Sequence, residues 1–261
     1  MSDPRPLRQF RVDTIDVRVF PDAGSLAVAA AAFVAGRVRD ALAACGQANV
    51  IFATGASQVA FLAALVRLEG PDWQRVTAFH LDEYLGMSAD HPASFRRYLR
   101  ERLFDRLPFG AVHLLAGDAP DPGAECARYE ALLRDRQIDL ACVGIGENGH
   151  LAFNDPPADF ATRELVRVVT LDEACRRQQV GEGHFPTLAD VPTQALSLSI
   201  PAILAARIIS GVVPDARKAA AVRRALEEDV SPWCPASALR RHGDCTLFLD
   251  TQSASALTAA R

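Results

Sequence analysis

Between residues 10 and 249, strand-like runs alternate with helical patterns, and no other feature restricts the fold as strongly. Residues 10–20 alternate in the β manner, 25–45 place apolar side chains at helical spacing, and 49–53 read as a short apolar strand. The rhythm continues with a helix at 58–68, a strand at 75–79, a helix at 94–107, a strand at 112–114, a helix at 123–135 and a strand at 138–143. Strands at 165–170, 195–200, 207–213 and 246–249 follow, with a helical turn at 172–178 and a helix at 215–228. Parallel strands need crossovers long enough to hold a helix, so this order predicts an α/β fold. The expectation is a Rossmann-like three-layer sandwich with a mostly parallel central sheet and helices on both faces. No linker interrupts the pattern, and 49% hydrophobic content can fill a large core, so residues 1–261 are expected to form a single domain. Residues 181–186 look like a loop over a site, and the Ala/Ser-rich stretch after Asp250 is expected to fray.

The segment from Val143 to Pro156 cannot be core. It follows an apolar strand and crowds three glycines, His150, Asn148, Asn154, Glu147 and Asp155 into a few positions. In an open parallel sheet that strand end borders the ligand crevice, which points to a small-molecule site. The net charge of −4 and the scattered basic residues argue against a nucleic-acid partner. Six cysteines without a C-x-x-C pair favour reduced packing residues and a cytoplasmic location. No apolar run is long enough for a membrane span. Of the 28 basic residues, Lys218 alone is lysine. Codon bias explains the arginines, but a lone ammonium that has not drifted to guanidinium hints at a site needing a compact charge.

Three segments could carry chemistry. Thr54-Gly55-Ala56-Ser57-Gln58 lies between a strand and a helix, where backbone N–H groups and the Ser57 hydroxyl would suit a phosphate; an ordinary capping turn explains it as well. Asp82 and Glu83 end another strand, either as a base with a raised pKa or as capping and ion-pairing acids. His80 and His91 read as structural hydrogen-bonding histidines. His150 could shuttle protons if Asp155 orients its ring. No second histidine or cysteine stands near it in sequence, so no metal is expected.

In this order, the three segments resemble the glucosamine-6-phosphate deaminase/isomerase family, whose wider group includes 6-phosphogluconolactonases. The blocks are 79–84 with 91–95 behind them, and 144–154, within a resemblance running from about Asn49 to Arg224. The ending Ala152 to Pro156, which the lactonase branch usually lacks, favours the deaminase side. The resemblance implies that Asp82 moves a proton between C2 and C1 of the opened amino sugar and that His150 assists ring opening. It implies phosphate contacts from residues 54–58, from Lys218, and from Arg177 or its neighbour Arg176. It calls for no metal or organic cofactor. Two positions depart from the family pattern: Asn148 stands where an Asp is usual, and Asp155 where a Glu is usual. Asn148 can still orient an imidazole by hydrogen bonding, without supplying charge. At the positions of the family's allosteric pocket stand Ala158, Leu165 and Val168, with Arg167 the one basic side chain, so activation by an acetylated sugar phosphate is not expected. Lactone hydrolysis and non-catalytic sugar-phosphate sensing remain the alternative functions, and homo-oligomerisation and the sugar epimer stay open.

Overall fold

The computed structural model describes residues 4–258, so residues 1–3 and 259–261 of the expected 1–261 domain lie outside the described residues. The β-patterned segment near the N-terminus folds as a hairpin, β1 (Arg8–Val12) and β2 (Ile15–Phe20), with the turn at Asp13 in left-handed backbone, φ 49°. α1 (Ala23–Cys45) starts where the Asp22 carboxylate accepts from the Ser25 amide at 2.7 Å, and ends at Gly46, whose N–H bonds Leu42. Its buried face repeats every turn through Leu26, Ala30, Val34, Val38 and Leu42.

The main sheet continues with β3 (Ala48–Phe52), β4 (Val76–His80), β6 (Ala111–His113), β7 (Leu140–Val143), β10 (Ile208–Val213) and β11 (Cys245–Asp250). Its spatial order is β1-β2-β11-β10-β7-β3-β4-β6, and every neighbouring pair is parallel except β1 with β2. Successive side chains of a strand face opposite layers. Val50 and Phe52 of β3 therefore join a core with α1 and α2 (Val59–Leu65). Ile51 between them joins the other core, with α4 (Pro122–Arg134), α6 (Ile200–Leu204) and α7 (Ala219–Glu227). The three layers expected from the alternation are present.

Two strands assigned to that sheet by pattern lie elsewhere. β8 (Val166–Thr170) and β9 (Gln194–Leu198) pair antiparallel with each other, and β9 pairs antiparallel with β5 (Asp82–Tyr84), a segment just beyond the strand expected at 75–79. The apolar letters of β8 imitate a doubly covered strand, yet Val168 is 38% exposed. Residue 200 opens the short helix α6 instead of ending a strand, because the Ser199 hydroxyl caps it at the Ala202 amide. The stretch after Asp250 does not fray as far as 258: Ser253, Ala254 and Leu257 are buried, and Asp250 accepts from the Ser253 amide at 2.7 Å.

After β3 the chain builds outward through β4 and β6, then returns to place β7 on the opposite side of β3. Connections on the two sides run in opposite directions, so a crevice opens at the carboxyl ends of β3 and β7.

Candidate active site

The crevice at that reversal is lined by Ala53, Thr54, Gly55 and Ser57 after β3, Leu81 and Asp82 after β4, and Gly144, Gly146 and His150 after β7. Phe95, Phe153 and Gln179 close its sides. Segments distant in sequence therefore converge as the strand ends require.

Asp82 opens β5 opposite Ser197, with its side chain buried. Burial, followed by the neighbouring charge of Glu83, pushes its carboxyl well above the usual range. Glu83 has the structural role: it accepts from the Ser94 hydroxyl at 2.6 Å, from the amides of Phe95 and Arg96 at 3.1 and 3.0 Å, and from Arg96 Nε at 3.2 Å. Those bonds anchor the start of α3 (Phe95–Leu99), which carries Phe95 into the crevice. His80 accepts from the Leu115 amide and His91 from the Ala93 amide.

His150 Nδ1 lies 3.1 Å from Asp155 Oδ1. Burial alone would raise Asp155, but the hydrogen bond and charge of His150, helped by Asn148 and the Asp172 amide, hold it below the usual carboxylate value. An ionised carboxylate can only accept, so Nδ1 carries the proton of this bond, which leaves Nε2 as the ring nitrogen available for proton exchange. The ring packs directly over Gly146, where a Cβ would fall 2.2 Å from Nε2. Gly149, at φ 91°, supplies the left-handed turn that brings His150 back over the strand end.

Asn148 makes no hydrogen bond to the ring. Its Oδ1 accepts from the His150 amide at 3.0 Å, while its Nδ2 donates to Asp155 at 2.9 Å and to Asp172 at 3.2 Å. An aspartate at this position would face two carboxylates without a proton to share, so the amide fits the local arrangement. Asp172 also caps α5 (Glu173–Gly181) and donates its amide to Asp155 at 3.0 Å. The Cys175 sulfur, unforeseen in sequence, joins His150 and Asp155 within 4.8 Å. Burial first, then Asp155 and Asp172, push its thiol pKa well up, which makes it a protonated neighbour.

The expected phosphate segment divides in two. Thr54, Gly55 and Ser57 line the crevice, and Ala56 begins the helical turn. Gln58 is fully buried and faces away: its Nε2 donates to Ser57 Oγ at 2.9 Å and to the Val212 carbonyl at 3.2 Å, bracing the hydroxyl. Lys218 is buried at the start of α7, where an ammonium opposes the helix dipole. Its Nζ lies 3.9 Å from Glu182 Oε1, and Glu182 Oε2 lies 4.0 Å from where a Cβ on Gly55 would stand. Burial lowers the lysine's pKa, and Glu182 counteracts this.

Neither candidate arginine is brought to the crevice. Arg177 is exposed on α5 and pairs with Glu173, while Arg176 donates to the carbonyls of Leu188 and Val191 at 2.6 and 3.0 Å. At about 100° per residue, Arg177 and Gln179 point to opposite sides of the helix. Gln179 is the α5 residue that faces inward, its Oε1 accepting from the Tyr84 hydroxyl at 2.7 Å. Gln179 and Glu182 were missed; the available signal was their three-residue spacing on a short helix entering a suspected site loop. Arg167, the remaining basic residue of the allosteric positions, is paired with Glu164 at 3.2 Å and Asp159 at 3.8 Å.

With this geometry, the similarity to known proteins is specific. The model of the glucosamine-6-phosphate isomerases/6-phosphogluconolactonase family matches residues 21–248, wider than the motifs alone indicated. A glucosamine-6-phosphate deaminase of Exiguobacterium sp. is 41% identical over 203 residues, covering 78% of each chain. The solved structure of a monomeric glucosamine-6-phosphate deaminase superposes with a TM-score of 0.85 at 34% identity, covering 92% of this chain and 99% of its own. A 6-phosphogluconolactonase from Shewanella baltica shares the fold, with a TM-score of 0.74 at 21% identity over 90% of this chain and 96% of its own. The chain belongs to the glucosamine-6-phosphate isomerase/6-phosphogluconolactonase family.

Proposed function

We propose that this protein is a glucosamine-6-phosphate deaminase, converting an amino-sugar phosphate to fructose 6-phosphate and ammonia. The observation that carries the proposal is the buried Asp82 carboxyl facing the same crevice as a His150 whose other ring nitrogen is held by Asp155. Lactone hydrolysis needs a base toward water and has no carbon acid for Asp82. Removing a proton from C2 needs a base strong enough to act on carbon, and the raised pKa of Asp82 meets that need. The identity to deaminases, 41% in one case, points the same way.

The phosphate docks at Thr54, Gly55 and Ser57, with Lys218 supplying positive charge. His150 Nε2 accepts the anomeric hydroxyl proton as the pyranose opens and returns a proton to the ring oxygen. Asp82, as carboxylate, removes the C2 proton, giving a cis-enolamine as O1 takes up a proton from solvent. Asp82 then delivers its proton to C1, which leaves an imine at C2 that water hydrolyses to ketone and ammonia. Phe95 and Phe153 cover the apolar side of the crevice and limit water around the carbon centres. Among the described residues no helix is long and apolar enough to cross a membrane.

The test is incubation with glucosamine 6-phosphate and parallel assay of ammonia and fructose 6-phosphate. Formation of both, lost in His150→Ala, is the expected result. Hydrolysis of 6-phosphogluconolactone without ammonia release would overturn the reading, as would binding without turnover.

A further inference from the structure

An anion that the chain itself provides sits beside Gly55, at the edge of the crevice. Glu182 follows α5 with its side chain only 4% exposed, 3.9 Å from Lys218 Nζ on one oxygen and 3.5 Å from His184 Nε2 on the other. Gln178 Nε2 donates to it at 2.7 Å. Burial works against its ionisation, yet His184, Lys218 and Gln178 bring its pKa down to about 2. The carboxylate therefore sits as a full negative charge beside Gly55, at the edge of the turn proposed above to take the phosphate.

We propose that Glu182 stands in for the substrate's phosphate, that the groups holding it, Lys218 and His184, are the phosphate's own ligands, and that Glu182 swings out when a phosphate enters. The proposal rests on the phosphate-bearing substrate assigned above and adds His184 to its binding residues. Two anions cannot share one ammonium in a half-dry site without strong repulsion, so a phosphate at Lys218 requires the carboxylate to leave. His184 Nε2 is buried and makes no hydrogen bond of good geometry to the carboxylate or to any other group, although 3.5 Å separates the two. A tetrahedral phosphate presents three oxygens in different directions and can meet both donors where a planar carboxylate satisfies them poorly. Space is open beside Glu182: Gly181 and Gly183 flank it, and a Cβ on either would meet nothing within 4 Å.

Inorganic phosphate is the probe, titrated calorimetrically into the whole chain. Removing the competing charge in Glu182→Gln should tighten phosphate binding about tenfold or more. His184→Gln should weaken binding relative to the unaltered protein, and the double variant Glu182→Gln with Lys218→Met should lose the gain. Glu182→Gln leaves Lys218 unpaired, so it should melt lower than the unaltered protein and recover with phosphate. If that variant does not fold, Glu182→Asp serves in its place: its shorter arm retreats from Lys218, and binding should again tighten. Unchanged or weaker phosphate binding in the folded Glu182 variant overturns the proposal, and so does a gain that survives Lys218→Met. Ammonia assays separate the two readings. Tighter phosphate without deamination keeps the cradle and discards the reaction, whereas deamination with phosphate binding indifferent to Glu182 does the reverse.

Discussion

Asp82 is costly for the folded protein and useful for the reaction, and both effects come from the same burial. Its native pKa lies well above the value of 3.8 it starts from. The native state therefore holds a proton that the unfolded chain releases, so stability is complete below that starting value and is lost as pH rises toward the native pKa. Asp82→Asn should remove this loss: at about pH 7 it should melt higher than the unaltered protein by about 2–4 °C for each kcal/mol recovered, with the gain shrinking toward about pH 4. The same variant should lose deamination by about 10²–10⁴-fold in kcat with little change in KM, measurable by ammonia release. Asp155→Asn is its counterpart at the histidine. A carboxamide can present N–H to His150 Nδ1 and reverse the tautomer, so kcat should again fall by about 10²–10⁴-fold, while the melting temperature moves less than the activity. At this scale the sequence was readable where chemistry demanded a residue type: Asp82, His150 and Asp155 meet as expected. It was not readable for direction. Gln58 and Arg177 have suitable groups, but one is turned into the core and the other into solvent by the helical phase of their segments.

Two connecting elements hold the site in place. The turn after β7 folds His150 onto Gly146, and any side chain there would meet the ring. Gly146→Ala should displace the imidazole by a fraction of its contact distance and lower kcat by about 10²-fold or more, with a smaller effect on folding, as activity and circular dichroism would report. The segment after β11 reaches Lys218 indirectly. Asp250 binds Ser253 on one oxygen and the Asp215 amide at 3.1 Å on the other, and Asp215 begins the turn that carries Lys218. Deleting the residues after Asp250 would remove the buried Ser253, Ala254 and Leu257 and free that carboxylate from Ser253. A loss of about 2–4 kcal/mol in denaturant unfolding is expected, together with a rise in KM larger than the fall in kcat. This role was hidden by composition: Ala and Ser letters resemble a solvated tail, and their burial depends on a groove that other elements create. Similarly, β5 is only three residues long, too short to show any periodicity before β9 lies beside it.

For the molecule as a whole, the site is a product of strand order. In the proposed reading substrate binds the folded chain across the ends of β3, β4 and β7, so it should stabilise the entire sheet. Glucosamine 6-phosphate, or a non-reacting hexitol phosphate, at about 100 times its Kd should add about 2.7 kcal/mol, a rise of roughly 5–10 °C in melting temperature. A molecule that melts at the same temperature in saturating ligand would contradict that placement. The sequence by itself determined the α/β class, the parallel sheet and the chemical identity of the three converging segments, because periodicity and residue type are local properties carried by neighbouring letters. Only the tertiary structure decided that β8 and β9 leave the main sheet to support Asp82, that Asn148 spans two carboxylates, that Cys175 approaches His150, and that Glu182 sits against Lys218. Each of these depends on which distant segments share a neighbourhood, and that is fixed by packing summed over the whole chain.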